Sequence, residues 1–217
     1  MVKNLSQGNS IINQYIAEIR DSVIQTDSMR FRYNLERMSE IFGYEISKTL
    51  EYESREVITP LGSAEVPVLK NYPVIIPVLR AGLPMHRGLL NIFDKSESAF
   101  ISAYRKVEKN NKFIIKVEYV SSPDLAGKTI ILADPMMATG ASIVSVYKEL
   151  ITLGKPAHIH IAIVIASVEG VELVKKSLPD RNITLWIGAI DDELTAKAYI
   201  VPGLGDAGDL AYGRKNS

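Results

Sequence analysis

Thr129-Ile-Ile-Leu-Ala-Asp134-Pro-Met-Met-Ala-Thr139-Gly140-Ala-Ser142 runs from a strand pattern straight into a helix pattern. The aliphatic run up to Ala133 reads as a strand buried on both faces. Ile143, Val146, Tyr147 and Leu150 then recur on one helical face. Between the two, Thr139 and Gly140 deliver the chain to a helix N-terminus. Unpaired N–H groups and the positive end of the helix dipole there suit an anion, most simply a phosphate. Thr139 and Ser142 add hydroxyl donors, and Gly140 lets the backbone approach closely. Asp134, expected at the strand's end, is placed to accept hydrogen bonds from sugar hydroxyls or to face a metal. No Lys follows the glycine, so this is not a Walker A loop. On these residues alone, a plain strand–turn–helix capped by Thr or Ser is an equal reading.

Upstream, Ile76-Pro-Val-Leu-Arg80-Ala-Gly82-Leu83 repeats the design. An Arg at the end of a buried strand needs an anionic partner, and its planar fork suits phosphate oxygens. A structural carboxylate would also satisfy it. Tyr104-Arg105 closes the next strand in the same way. Two arginines beside one cradle predict more than one phosphate group.

Strand candidates at Val74–Leu79, Ala99–Tyr104, Thr129–Ala133, Ile159–Ala166 and Thr184–Gly188 alternate with helix-length stretches at 83–93, 141–153 and 169–178. This alternation predicts an α/β fold, a parallel sheet with helices on both faces and a ligand crevice at the carboxyl ends of its strands. Residues 106–122 break the rhythm with a period-2 pattern through Phe113, Ile115, Val117 and Tyr119. They predict a protruding β flap, with an ordinary edge hairpin as the other reading.

The N-terminal fifty residues read as helical: Ile12, Ile16, Ile19 and Val23 follow Ser10, and Phe31, Leu35, Met38 and Phe42 follow Asp27 or Ser28. A hairpin around Pro60-Leu61-Gly62 completes an arm suited to the main body or to a second subunit. At the other end, Tyr199-Ile-Val-Pro-Gly203-Leu-Gly205-Asp206-Ala207-Gly208-Asp209 is rich in glycine. Its accessible backbone could read a flat ligand with alternating carbonyl and N–H groups; a frayed tail is the plainer alternative.

Composition removes whole classes of function. The 217 residues carry 25 basic and 25 acidic side chains, so no net field recruits nucleic acid or an anionic membrane. Without Cys there is no thiolate chemistry or disulfide framework, and three His leave little for a His-rich metal site. The longest charge-free apolar run, Pro156 to Val168, is too short to span a bilayer, and no signal-peptide pattern opens the chain. A cytoplasmic protein is expected. His158 and His160, in a buried strand, read as structural; His86 has no evident partner and takes no role.

Together, Pro77-Val-Leu-Arg-Ala-Gly82, Asp134-Pro-Met-Met-Ala-Thr-Gly140 and the motif at 199–209 resemble the uracil phosphoribosyltransferases, a family of type I phosphoribosyltransferases. The likeness covers nearly the whole chain. A single Asp134 between Ala133 and Pro135 is similar to the uracil branch, and the C-terminal motif is the most specific. Two places depart from the family: Ala141 stands where a second Gly is usual, and the flap matches poorly.

The resemblance implies one phosphoribosyltransferase domain, with an arm and hairpin at 1–70, a core at 71–198 carrying the flap, and a base-binding loop at 199–217. It implies that uracil and 5-phosphoribosyl diphosphate, with Mg²⁺ carried by the donor near Asp206, give UMP and diphosphate. Donor binding falls by similarity to Arg80, Arg105, Asp134, Pro135, Met136, Met137, Ala138, Thr139, Gly140, Ala141, Ser142 and Asp206. Uracil falls to Ile200, Gly205, Asp206 and Ala207, and the catalytic roles to Asp134, Arg105 and Asp206. Partners are then small molecules, neither nucleic acid nor membrane, with the apolar arm predicting a homodimer or larger assembly. Some relatives respond to GTP. The competing readings are an RNA-binding regulator on the same fold and a transferase for another base.

Overall fold

The computed structural model describes residues 1–107, 113–178 and 180–215, the side chains of 104–107, 113–117 and 180 excepted. Short strand β1 (Val2–Asn4) precedes helices α1 (Ile11–Arg20) and α2 (Ser28–Ser47). Ser10 holds the N-cap position of α1 without a side-chain bond, whereas the Asp27 carboxylate caps α2 by accepting from the Met29 and Arg30 amides. Strands β2 (Tyr52–Thr59) and β3 (Gly62–Leu69) then form the expected hairpin, paired in antiparallel register and exposed along nearly all their length.

From residue 74 the chain alternates: β4 (Val74–Leu79), α3 (Leu83–Ile92), β5 (Phe100–Val107), β6 (Phe113–Ser121), β7 (Thr129–Met137), α4 (Ala141–Leu150), β8 (His158–Ser167), α5 (Val168–Ser177) and β9 (Ile183–Asp191). Two-residue strands β10 (Glu193–Leu194) and β11 (Ile200–Val201) pair before the last helix, α6 (Ala207–Tyr212). The main sheet has the order β1-β9-β8-β7-β4-β5-β6, parallel throughout except where β6 turns back on β5.

Neighbouring residues of each strand serve opposite faces. Ile75, Ile131 and Val164 pack with Ile12, Phe31, Leu35, Met85 and Leu89 of α1, α2 and α3. Val74, Ile76, Ile130, Leu132 and Ile163 pack with Ile143, Val146 and Val174 of α4 and α5. Burial on both faces is why the strands read as unbroken aliphatic runs. It also locates the crevice. Adjacent strands β4 and β7 send their helices to opposite faces, α3 to one and α4 to the other, which is the switch point where such sheets part.

Several expectations change. Asp134 does not end its strand: β7 continues to Met137, and Asp134, Met136 and Met137 stay registered with Ile163, Ile165 and Ala166 of β8. The pairing of β7 with β4 ends earlier, at Ala133 opposite Pro77, so Pro135 falls where the missing amide costs nothing on that side. The edge-hairpin reading and the flap reading merge, since β6 is the sheet's edge strand and β5 pairs with it along its whole length. The flap's centre, 108–112, lies outside the described residues. Strand β1, with only three residues, carries no readable period and joins β9 at the opposite edge.

Candidate active site

A cleft of about 940 Å³ opens at the carboxyl ends of β4 and β7, beside the middle of β5. Its walls are Arg80 and Ala81 after β4, Ser102 and Ala103 of β5, the chain from Asp134 to Gly140 with Ser142, and the C-terminal residues Ile200 and Gly205 to Gly208. Of the residues expected from Asp134 to Ser142, Ala141 alone is not a wall residue. Ile200, Gly205, Asp206 and Ala207 all are. Arg105 does not close its strand as expected: β5 runs on to Val107, with Arg105 registered opposite Ile115 of β6, and its side chain lies outside those described.

Asp134 is half-buried at the floor, where its Oδ1 accepts from the Met136 amide at 3.2 Å. Burial is the larger influence and pushes its carboxyl up to about 7, against an opposing pull from that amide. Such a group waits for a cation or for hydroxyl donors to favour its charged form. Beyond it, Gly140 caps α4 at φ +77°, and a β-carbon there would lie 2.7 Å from the Gly170 carbonyl oxygen. The loop therefore rests directly on α5. Ser167 fixes this contact from below: its hydroxyl donates to the Ala138 carbonyl and accepts from the Gly170 amide at 2.8 Å. Gly140, at the N-cap of α4, has no side chain to offer, and the Ala141 amide instead donates to Thr139 Oγ1 at 3.4 Å, as the capped strand–turn–helix reading expects. Thr139, Gly140, Ser142 and Ile143 thus bring the start of α4 to the wall of the cleft on a fixed support.

Across the opening, Arg80 follows a cis Leu79–Arg80 peptide. Its guanidinium donates to Asp209 Oδ1 at 3.2 Å and to the Gly213 carbonyl at 3.3 Å, so both sequence readings of this Arg have a place. It borders the cleft and it meets a carboxylate. Asp206 borders the cleft too, while its Oδ1 caps α6 by accepting from the Asp209 amide at 3.0 Å. The glycine-rich segment is not frayed. Ile200, Leu204 and Ala207 are core residues, and Arg32 donates to the Ala211 carbonyl at 2.6 Å.

Lys197, Tyr199 and Lys215 also border the cleft. Sequence reasoning missed them because the β10–β11 pair, two residues a side, is what brings 197–199 to the cleft, and Lys215 lies in the tail beyond α6. The turn at 195–199 closes through a bond from the Thr195 amide to the Tyr199 carbonyl at 2.8 Å. The histidines are structural as read: His160 Nδ1 accepts from Trp186 Nε1 at 3.1 Å, and His158 Nε2 lies 3.0 Å from Thr184 Oγ1. His86 does have a partner, contrary to expectation, with Nε2 at 2.8 Å from Ser98 Oγ.

A strand–loop–helix cradle at the switch point of a parallel sheet is an α/β arrangement of the type I phosphoribosyltransferase kind, and one solved phosphoribosyltransferase shares the fold. A hypoxanthine phosphoribosyltransferase from Staphylococcus aureus superposes with a TM-score of 0.50 over 74% of each chain at 10% identity, a likeness of fold alone. The AQ2163 protein from Aquifex aeolicus is nearer, with a TM-score of 0.87 and 27% identity over 98% of both chains. The chain belongs to the uracil phosphoribosyltransferase family, whose model matches residues 7–214. A uracil phosphoribosyltransferase of Porphyromonas gingivalis is 50% identical over 214 residues, 99% of each chain. One of Thermococcus gammatolerans is 38% identical over 95% of this chain and 91% of its own.

Proposed function

We propose that the protein transfers the 5-phosphoribosyl group from its diphosphate donor to N1 of uracil, giving UMP and diphosphate in pyrimidine salvage. One observation carries this reading: anion-seeking loops after β4 and β7 share a single cleft with a backbone-rich C-terminal segment. The cradle of Ala138 to Ser142 takes the 5′-phosphate, and Asp134 takes the ribose hydroxyls. Arg80 and Arg105 take the diphosphate. Uracil lies against the main chain of Ile200, Gly205, Asp206 and Ala207.

The C1–O bond to diphosphate breaks, the C1–N1 bond forms and the N1 proton passes to the departing diphosphate or to water. Positive charge develops on the ribose while negative charge grows on the leaving group. No covalent nucleophile is needed; positioning and electrostatic stabilisation carry the reaction. Arginines neutralise the departing diphosphate, and the Asp134 carboxylate, charged once hydroxyls or cations approach, steadies the ribose. Uracil presents two carbonyls around an N3–H donor, and cytosine would leave buried groups unpaired at about 1–3 kcal/mol each.

Among the described residues, no group of three or more His, Cys, Asp or Glu side chains is placed to hold a metal. The cleft nevertheless fits a donor-borne Mg²⁺, which keeps waters and phosphate ligands and asks the protein for one or two oxygens. Asp134 and Asp206 are the carboxylates on its walls. Bound there, Mg²⁺ would neutralise charge on the diphosphate.

A homodimer or larger assembly through the N-terminal arm and its exposed hairpin belongs to this proposal, as does a cytoplasmic location. So does the division into arm, core and base-binding loop, acting as one transferase domain without nucleic acid or membrane. Among the described residues no helix is long and apolar enough to cross a membrane. Diphosphate release from the donor with Mg²⁺ and a panel of bases tests the function. Uracil should support turnover while hypoxanthine, orotate and cytosine do not, and the same assay reads any response to GTP. Equal turnover with another base would overturn the assignment.

A further inference from the structure

Uracil in the proposed site meets main-chain atoms, so its place depends on whatever anchors that stretch of backbone. Between Ile200 and Gly205 the chain makes a tight turn at Gly203, with φ +56° and room for no side chain: a β-carbon would lie 2.2 Å from the Ile200 carbonyl oxygen. Both polar atoms of Gly203 are held by one ion pair. Its amide donates to Asp191 Oδ2 at 2.9 Å, and its carbonyl accepts from Arg20 Nη1 at 3.0 Å. Arg20 in turn grips Asp191 through two bonds, Nη1 to Oδ2 at 2.8 Å and Nη2 to Oδ1 at 2.7 Å.

The members of this pair come from rigid elements. Asp191 is the last residue of β9 and is buried, with 7% of its surface exposed. Arg20 is the last residue of α1, where the helix dipole favours a cation. Neither is a wall residue of the cleft. A planar guanidinium in a bidentate grip has a fixed orientation, which a single bond would not impose.

We infer that Arg20 and Asp191 are positioning residues for the acceptor base: their ion pair fixes the Gly203 turn, and with it the flanking carbonyls and amides that read uracil. The inference rests on the proposed function. It explains why an N-terminal helix is tied to a segment more than 180 residues later, and it makes acceptor recognition separable from donor recognition.

Arg20→Lys, Arg20→Ala and Asp191→Asn test it through steady-state kinetics with each substrate varied and through hydrogen–deuterium exchange. In Arg20→Ala and Asp191→Asn the KM for uracil should rise by about 10–100-fold while that for the donor stays within about threefold. Arg20→Lys, keeping the charge but losing the fork, should fall between. Exchange of the amides at 200–208 should speed up in proportion. Should Arg20→Ala fail to fold, the two conservative variants carry the test. Equal losses for both substrates, or unchanged uracil KM with unchanged exchange, would overturn the inference. A wild-type enzyme that ignores uracil would overturn the function instead. The exchange rates at 200–208 then judge the clamp alone: faster exchange in the variants keeps it, and unchanged exchange removes it.

Discussion

Arg80 and Asp209 form an ion pair across the mouth of the cleft, Nη2 to Oδ1 at 3.2 Å, with about a third of each side chain open to solvent. A pair this exposed contributes little to stability, about 0–1 kcal/mol. Its interest lies in what it occupies. The guanidinium proposed for the diphosphate is already engaged by a carboxylate of the C-terminal segment.

Donor binding must therefore loosen or share that pair. Asp209→Asn should tighten donor binding by about 2–5-fold in calorimetry, since roughly 1 kcal/mol of competing attraction disappears. The melting temperature should barely move. Arg80→Ala should weaken donor binding at least tenfold, and unaltered affinity in that variant would take Arg80 out of the site.

Asp134 gives a pH signature with a definite sign. Its carboxyl titrates at about 7 in the folded protein against an ordinary 3.8, so the folded state holds the proton more tightly. Stability is then lost as pH rises between those values and stays low above them. The loss is on the order of 2–3 kcal/mol, from about 1.4 per pH unit reduced for partial contact with solvent. Asp134→Asn should melt higher than the wild type at pH 8 and equal to it near pH 4. Its turnover should fall by at least about 100-fold. A variant that melts lower at pH 8 contradicts the burial of this group.

Ser167 supports the proposed phosphate cradle from beneath. Ser167→Ala removes the N-cap of α5 and strands the Ala138 carbonyl, together about 1–3 kcal/mol. Unfolding in denaturant should report that loss. The donor KM should rise several-fold while the uracil KM holds; the reverse pattern would place Ser167 outside the cradle's support.

The hairpin of β2 and β3 leaves Ile58 84% and Leu61 100% exposed. Two strands alone are marginal in water, and apolar tips of this kind signal a covering surface. Sedimentation should find a dimer or larger assembly, and replacing residues 55–66 by a short turn should shift the mass toward the monomer. A monomeric wild type would end this part of the proposal.

Much of this was legible from residue order because local chemistry carried it. Val74–Leu79 was bounded to the residue, since Pro and Gly punctuate it and both of its faces are buried. The cradle after Met137 and the cleft-lining residues 205–207 were likewise marked by glycines next to donors. The end of β7 was misplaced because an Asp beside a Pro looks like a stop, whereas pairing with β8 carries the strand through. Contacts between distant residues left no trace. His86 with Ser98, and Arg20 with Asp191, join side chains whose meeting depends on the finished fold. Lys197 and Lys215 reach the opening only through the final loop and tail, which have no periodicity to betray them.

The parting of β4 from β7 has a modular consequence. One rim of the crevice comes from the sheet and the other from the last two dozen residues, so on the proposed reading the sugar-phosphate grip and the choice of nucleobase are inherited from different stretches of the gene. Swapping the terminal stretch for that of a relative with another base preference should redirect the acceptor while the pentose chemistry stays intact.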